Sequence, residues 1–254
     1  MKTSTTDSAL SRLTRRRMLQ LGGAAGAVSL SAPLTLIEEG RMTAKTLPAI
    51  EAADHLLLGV AELDEGIAWV ERKTGIRAAV GGSHPGRGTR NALLSLGRRQ
   101  YLEIIAPDPA QPQPEAQFEL LRQLAAPRLI RWAAVTTEIN AVAQQARAAG
   151  YEFLGPRDGS RARPGGRLLK WKTLNIRTEL GGVIPFFIEW EAGVAHPSGD
   201  SPAGCQLVAF DLQHPQPERV REMLGRLGIE AQVSRGEMKL KATLKTPKGI
   251  VELE

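Results

Sequence analysis

A pattern of one strand, one helix and further strands recurs along this chain, and it limits the possible folds more than any single motif does. The first copy opens with the apolar run Asp54-His55-Leu56-Leu57-Leu58-Gly59-Val60. A helix is predicted over Leu63 to Thr74, with Ile67, Val70 and Trp69 on its inner side and Gly75 as its stop. Strands are expected near Arg77–Val80, Asn91–Leu96 and Gln100–Ala106, with Gly81, Gly82, Pro85, Gly86 and Gly88 punctuating the first connection. The second copy begins at Leu129–Val135, and a shift of 75 residues lays Val135 on Val60 and Gly150 on Gly75 without a gap. Its helix, Ile139 to Ala149, carries apolar residues at 139, 142, 146 and 149, the spacing of one buried face. A long loop from Gly155 to Gly166 then leads to strands at Leu168–Leu174 and Ile184–Trp190. A third, shorter copy fits Leu207–Leu212, a helix Pro217 to Leu227, and strands near Glu230–Val233, Lys239–Leu244 and Gly249–Leu253.

Such a βαβββ unit covers one face of its sheet with a helix, so the other face must meet a second unit or curl round a ligand. The expected fold class is therefore α+β: repeated βαβββ modules that pair into curved mixed sheets around a concave cavity. The divisions are a leader over 1–36, a linker over 37–51, a first module over 52–110, a connecting segment over 111–128 and a second module over 129–192. A linker over 193–204 and a third module over 205–254 complete the chain.

The leader carries Arg15-Arg16-Arg17-Met18-Leu19 ahead of a mildly apolar, uncharged stretch from Leu21 to Leu36. That layout resembles a twin-arginine export signal, which implies the twin-arginine machinery as a partner and a periplasmic or secreted location. Gly22, Gly23, Gly26, Ser29, Ser31 and Pro33 interrupt the stretch, so no stable membrane insertion is expected. The charge agrees. The net +6 of the 254 residues falls to +2 once the first 32 residues, with five basic side chains and one acidic, are set aside, leaving 28 against 26. Nucleic acid is accordingly not an expected partner. With Cys205 alone there is neither an intrachain disulfide nor a Cys-rich metal site, so any metal must be held by His, Asp or Glu.

His55 opens the first strand and Glu103 lies in the last strand of the same unit, and both can point into the concave face. The repeat carries Glu103 onto Glu189 in Phe186-Phe187-Ile188-Glu189-Trp190. An ionised carboxylate inside an apolar strand is costly unless paired or coordinated. His55, Glu103 and Glu189 are thus a candidate N/O ligand set for a divalent metal, Zn, Fe, Mn, Co or Ni, with open positions. The same shift gives Ile130 at the second copy's equivalent of His55, which leaves a metal-free cavity as the competing reading. Glu189, whose module lacks the partner histidine, is the candidate catalytic base. Arg90, Asn91, Arg161, Arg163 and Trp171 are candidate substrate-binding residues. His84, in a Gly/Pro loop, reads first as a turn residue, and His196 and His214, beside prolines, read as structural.

His55, the stretch Gly81-Gly82-Ser83-His84-Pro85-Gly86-Arg87-Gly88-Thr89-Arg90-Asn91, Tyr101-Leu102-Glu103 and Pro185-Phe186-Phe187-Ile188-Glu189-Trp190 together resemble the glyoxalase-like domain family of the vicinal-oxygen-chelate superfamily. So does Arg161-Ala162-Arg163-Pro164-Gly165-Gly166-Arg167-Leu168-Leu169-Lys170-Trp171, and the likeness spans about residues 52 to 254. It implies paired βαβββ modules. In metal-using members it implies a metal held by His on first strands and Glu on last strands, which chelates neighbouring oxygens of a small substrate in isomerisation, ring cleavage or addition to epoxides. Other members are metal-free proteins that sequester small molecules. The expectation is an exported metal-dependent lyase or isomerase, with a metal-free binding protein as the alternative, and a homodimer is possible.

Overall fold

The computed structural model describes residues 46–111, 113, 115–162 and 168–254. The leader, Arg163 and the residues beside it as far as 167 lie outside them. A short strand β1 (Leu47–Pro48) and a one-turn helix α1 (Ala49–Ala52) precede the first module, which is β2 (Ala53–Gly59), α2 (Leu63–Thr74), β3 (Ala79–His84), β4 (Thr89–Ser95) and β5 (Tyr101–Pro107). The second module is β6 (Arg128–Val135), α3 (Ile139–Ala148), β7 (Phe153–Ala162), β8 (Leu168–Ile176) and β9 (Phe186–Trp190).

These strands form one eight-stranded sheet in the order β3-β4-β5-β2-β6-β9-β8-β7. In each module the first strand lies parallel to the last, β2 on β5 and β6 on β9, and the two modules join where β2 runs antiparallel to β6. The sheet is curled, because a side chain of β7 at one edge reaches the backbone of β3 at the other: the Arg161 guanidinium donates to the Gly81 carbonyl.

Every residue of β2 and β5 is buried, since helices cover one face and the cavity lies on the other. That double burial is why both read as nearly continuous apolar runs rather than as alternating patterns. Leu56 and Leu58 face α2 and the main core, with burial stabilising by about 1.5–3 kcal/mol each. Helix α2 presents Leu63, Ile67 and Val70 to the sheet, carries Asp64 and Glu65 in its first turn and Arg72 and Lys73 in its last, and ends at Gly75 with φ +82°. Those charges oppose the partial charges of the helix ends, and the left-handed turn suits a residue without a Cβ. The close seat of α2 depends on Gly66, where a Cβ would lie 2.8 Å from a Val60 methyl and 2.9 Å from Ile104.

Two expectations are corrected, and one connection proves to hold an element. The segment expected as a loop from Gly155 is strand through Ala162, paired with β8 from Phe153↔Ile176 to Ala162↔Leu168. It is an edge strand with a register shift between Leu154 and Arg157, and an edge tolerates the Pro and Gly that made it look like a loop. The connecting segment 111–128 holds a 3-10 helix, Ala116–Gln123, whose Phe118 and Leu121 pack on Leu57, Ile105 and Ile130 and close one end of the curl. The C-terminal region has the expected order of elements but different wiring.

There, α4 (Pro197–Asp200) leads to β10 (Gln206–His214), α5 (Pro217–Arg226), β11 (Ile229–Glu230), β12 (Val233–Arg235), β13 (Lys239–Thr246) and β14 (Gly249–Leu253). The sheet order is β12-β10-β13-β14, with β11 paired to β1. The neighbours of β10 are a parallel β12 and an antiparallel β13, so this unit does not repeat the module's pairing. It packs on the side of the large sheet away from the cavity, where Trp132 of β6 meets Phe210 of β10 edge-on, ring centres 5.2 Å apart. The Trp132 indole N–H is satisfied by the Val183 carbonyl at 3.0 Å.

Candidate active site

Odd-numbered residues of β2 and β5 point into the concavity. Register places Tyr101 beside His55 and Glu103 beside Leu57, and across the module junction Ala133 lies beside His55 and Arg131 beside Leu57. The resulting cavity draws its lining from both modules. His55, His84, Arg87, Asn91, Tyr101 and Glu103 line it from the first module, and Arg131, Arg161, Trp171, Asn175, Phe186 and Trp190 from the second.

His55 is fixed from behind. Its Nδ1 lies 2.7 Å from Asp54 Oδ1, its ring stacks on Tyr101 with centres 4.5 Å apart, and Phe186 meets it edge-on. Asp54 is itself buried, and its Oδ2 accepts from the Trp190 indole at 2.9 Å and faces His196 Nε2 at 3.1 Å. Burial alone would raise the Asp54 pKa, but the hydrogen bonds and charges of His196 and His55 outweigh it and hold the carboxyl well below its ordinary value. An ionised Asp54 accepts a proton from Nδ1, so the His55 tautomer leaves Nε2 as a lone pair facing the cavity. That atom stands 3.5 Å from Glu103 Oε2.

Glu103 is held from the other side. Asn91 donates its amide to Glu103 Oε1 at 2.7 Å and contacts His84 Nε2 at 3.1 Å. With both amide hydrogens so used, His84 Nε2 must accept, and its Nδ1–H points to Thr89 Oγ1 at 2.9 Å. Burial pushes the His84 pKa down, helped by the charges of Arg161 and Arg87 against the pull of Glu103. For Glu103 burial pushes the pKa up, but His84, His55 and the Asn91 hydrogen bond bring it below the ordinary value. Asn91 Oδ1 is buried with no hydrogen-bond partner among the described residues. Gly81 lies against it: a Cβ there would fall on Asn91 Oδ1 and 3.1 Å from Arg161 Nη1.

His55 and Glu103 thus meet as expected, and Asn91, Arg161 and Trp171 line the same cavity. Two expected residues do not. Glu189 lies on the opposite face of β9 from Phe186 and Trp190, and its Oε2 accepts the backbone N–H of Ile139 at 2.7 Å, at the start of α3. Arg90 likewise leaves the cavity to its neighbour Asn91, and its charge acts on Asp108. Arg163 lies outside the described residues.

The two modules align differently from the expected repeat in two places, at the first strands and at the last. Glu62 and Glu138, the residues that precede α2 and α3, are 76 apart, as are the strand ends Gly59 and Val135, whereas Gly75 and Gly150 after the helices are 75 apart. The span from Glu138 to Gly150 is one residue shorter than that from Glu62 to Gly75, so the first strands align at 76, and a one-residue slip turns every side chain to the other face. The counterpart of His55 is Arg131, not Ile130. The partner of Leu57 is Glu103 and that of its counterpart Ala133 is Phe186, so Phe186 takes the place of Glu103.

The three expected metal ligands therefore do not converge, and no group of three His, Cys, Asp or Glu among the described residues is placed to hold a metal ion. An arginine at the second histidine position and a Glu103 already engaged by Asn91 do not fit the divalent centre that the resemblance implies, and no chemistry is assigned through one.

A glyoxalase-like domain model matches residues 53–228. The chain belongs to the glyoxalase-like domain family. The paired modules of this glyoxalase-like protein are the arrangement of the vicinal-oxygen-chelate superfamily, and a hypothetical protein from Staphylococcus aureus has the same fold at 14% identity, with 80% of this chain and 98% of that one aligned at TM-score 0.60. Methylmalonyl-CoA epimerase from Mycobacterium tuberculosis aligns over 58% of this chain and 91% of its own, at 18% identity and TM-score 0.39. The Streptomyces coelicolor epimerase aligns over 56% and 98%, at 14% identity and TM-score 0.40. No curated protein matches the chain.

Proposed function

We propose that this glyoxalase-like protein is an isomerase or lyase that moves a proton on a small, oxygen-rich carbonyl compound, with His55 as its base. One arrangement carries the reading: an imidazole tied through Nδ1 to a buried carboxylate, with Nε2 directed at a cavity lined by polar and aromatic side chains. It is the arrangement a general base needs, because the carboxylate fixes both tautomer and ring orientation and compensates the positive charge that forms. His55 Nε2 takes the proton from a carbon beside the substrate carbonyl, the C–H pair forms the C–C double bond, and the carbonyl pair moves onto oxygen. Where that carbon bears a hydroxyl, transfer of the hydroxyl proton to the charged oxygen, collapse of the other oxygen to a new carbonyl and delivery of the His55 proton to the former carbonyl carbon complete an isomerisation; expulsion of a leaving group from the next carbon, with the pair on oxygen re-forming the carbonyl, completes an elimination. Arg161 and Tyr101, which share the cavity, supply donors for the oxygen that gains charge.

The test is deuterium incorporation into methylglyoxal and dihydroxyacetone in D₂O, followed by proton NMR with the full-length chain. Exchange is expected to fall about 10²–10⁴-fold in His55→Ala. Unchanged exchange in that variant overturns the assignment. The second reading, a metal-free binding protein, draws on the aromatic lining from Tyr101, Phe118, Trp171, Phe186 and Trp190, and saturable binding without exchange would select it. We also propose export by the twin-arginine route to the periplasm or beyond, on the strength of Arg15-Arg16-Arg17 before the uncharged stretch. Loss of the protein from the periplasmic fraction on Arg15→Lys with Arg16→Lys and Arg17→Lys checks it, and unchanged fractionation refutes it.

A further inference from the structure

His196 belongs to neither paired module. It stands at the head of the one-turn helix α4, in the segment that leads from the second module to the C-terminal unit, yet its ring is buried and ends on Asp54, the residue beside His55. That segment is held against the first module, where the Ser95 N–H of β4 donates to the Pro202 carbonyl at 2.9 Å. Tyr101 and Trp190 meet the imidazole edge-on, with ring centres 5.6 and 5.5 Å away, and fix its plane.

The position of each proton follows from the contacts. His196 Nδ1 accepts the backbone N–H of Ser198 at 3.3 Å and lies 2.8 Å from Ser198 Oγ. A main-chain amide can only donate, so Nδ1 is bare and the proton of the neutral ring sits on Nε2. Nε2 therefore donates to Asp54 Oδ2 at 3.1 Å, while the other oxygen receives His55 Nδ1–H at 2.7 Å. One carboxylate thus collects two imidazole donors of opposite tautomer. Burial would raise the Asp54 pKa, and of the groups that overcome it the hydrogen bond from His196 acts most strongly, ahead of that from His55.

We infer that His196 is a positioning residue for His55: together with the Trp190 indole it holds one oxygen of Asp54, so that the other is presented to His55 Nδ1. Both nitrogens of His196 are engaged, so it acts through the carboxylate and not on a ligand. A single indole N–H leaves the carboxylate free to turn about its Cβ–Cγ bond, whereas two donors on one oxygen and His55 on the other define its plane. A base displaced by a fraction of an ångström loses rate steeply. The effect on rate rests on the proposed proton transfer at His55. The paired tautomers and the coupling of the two rings do not.

The experiment uses the full-length chain with ¹⁵N-labelled histidine. Long-range proton–nitrogen NMR of the wild type is expected to find His55 protonated on Nδ1 and His196 on Nε2, and a proton on His196 Nδ1 overturns the inference even where a variant fails to fold. In His196→Phe the carboxylate serves one donor fewer, so the His55 Nδ1 proton signal moves downfield. In His196→Gln, whose side-chain amide offers an N–H in place of Nε2–H, the signal returns toward the wild-type position. For deuterium exchange into dihydroxyacetone, His196→Phe is expected to lower kcat about tenfold or more at unchanged KM, and His196→Gln to restore it to within about threefold. A His55 signal unmoved in His196→Phe, a kcat there equal to that of the wild type, or a His196→Gln as slow as His196→Phe each overturn the inference. Absence of exchange in the wild type, with both tautomers and the moved signal as expected, would remove the proton-transfer proposal and leave His196 as the residue that orients His55.

Discussion

Asp54→Asn keeps the shape of a buried side chain and removes its charge. The carboxylate is 2% exposed and is surrounded by ring nitrogens: His55 Nδ1 at 2.7 Å on one oxygen, and Trp190 Nε1 at 2.9 Å with His196 Nε2 at 3.1 Å on the other. An amide offers a single acceptor oxygen. Turned toward Trp190 and His196, it sets its NH₂ against His55, which must then accept through Nδ1 and present Nε2–H to the cavity, the wrong tautomer for a base. Turned toward His55, it sets two hydrogens against the Trp190 N–H. A hydrogen bond to a charged group contributes about 1.5–3 kcal/mol net, so losing one and weakening two others is expected to cost about 2–4 kcal/mol. At about 2–4 °C per kcal/mol for a domain of this size, Tm falls by roughly 4–16 °C. Because the folded-state pKa of Asp54 lies below its ordinary value of 3.8, the stabilisation is present above that pH and is lost as pH falls through the folded value. Thermal unfolding of wild type and variant followed by circular dichroism should therefore show a full Tm gap at pH 7 that narrows at pH 3. Proton exchange should fall by about 10²-fold or more at pH 7, through the tautomer. A Tm change under about 2 °C at pH 7, or a gap that widens toward acid, would refute the account of Asp54 as an ionised anchor.

Glu189→Ala removes the acceptor for the Ile139 N–H at the start of α3, and is expected to cost about 0.5–2 kcal/mol of stability with turnover intact. Turnover lost at unchanged Tm would return Glu189 to the chemistry. Gly81→Ala drives a methyl group onto Asn91 Oδ1 and toward Arg161, where the sheet edges meet, and overpacking of that kind costs about 1–3 kcal/mol. A variant as stable as wild type in urea, with exchange activity undiminished, would show that β3 and β7 do not close on each other there.

The parts of this molecule legible in its sequence are those with a local cause. Helix α2 occupies Leu63–Thr74 as its spacing and Gly75 predict, and the neighbouring strands follow their apolar runs. His55 and Glu103 were visible as a pair because polar groups inside doubly buried strands need a partner, and each has one. What escaped depends on parity between distant segments. A span between Glu138 and Gly150 one residue shorter than that between Glu62 and Gly75 leaves the repeat looking gapless at its glycines while shifting β6 by one position relative to the first module. That slip hid Arg131, which enters the cavity because it pairs with Leu57 across the junction, while Glu189 lies three residues past Phe186, the counterpart of Glu103, and so falls on the other face of its strand. Asp54 was hidden for a different reason. It gains its meaning from Trp190 and His196, more than 130 residues away, and no local pattern announces a carboxylate that three nitrogens will surround. The cavity's character changes accordingly, from one carboxylate in each module facing a metal to one carboxylate and one guanidinium facing each other across a shared strand pair. In the first arrangement a substrate would be gripped by its oxygens through an ion. In the second the chain's own His55 is the base, so proton exchange should survive EDTA, and exchange lost to EDTA would return the ion to the account.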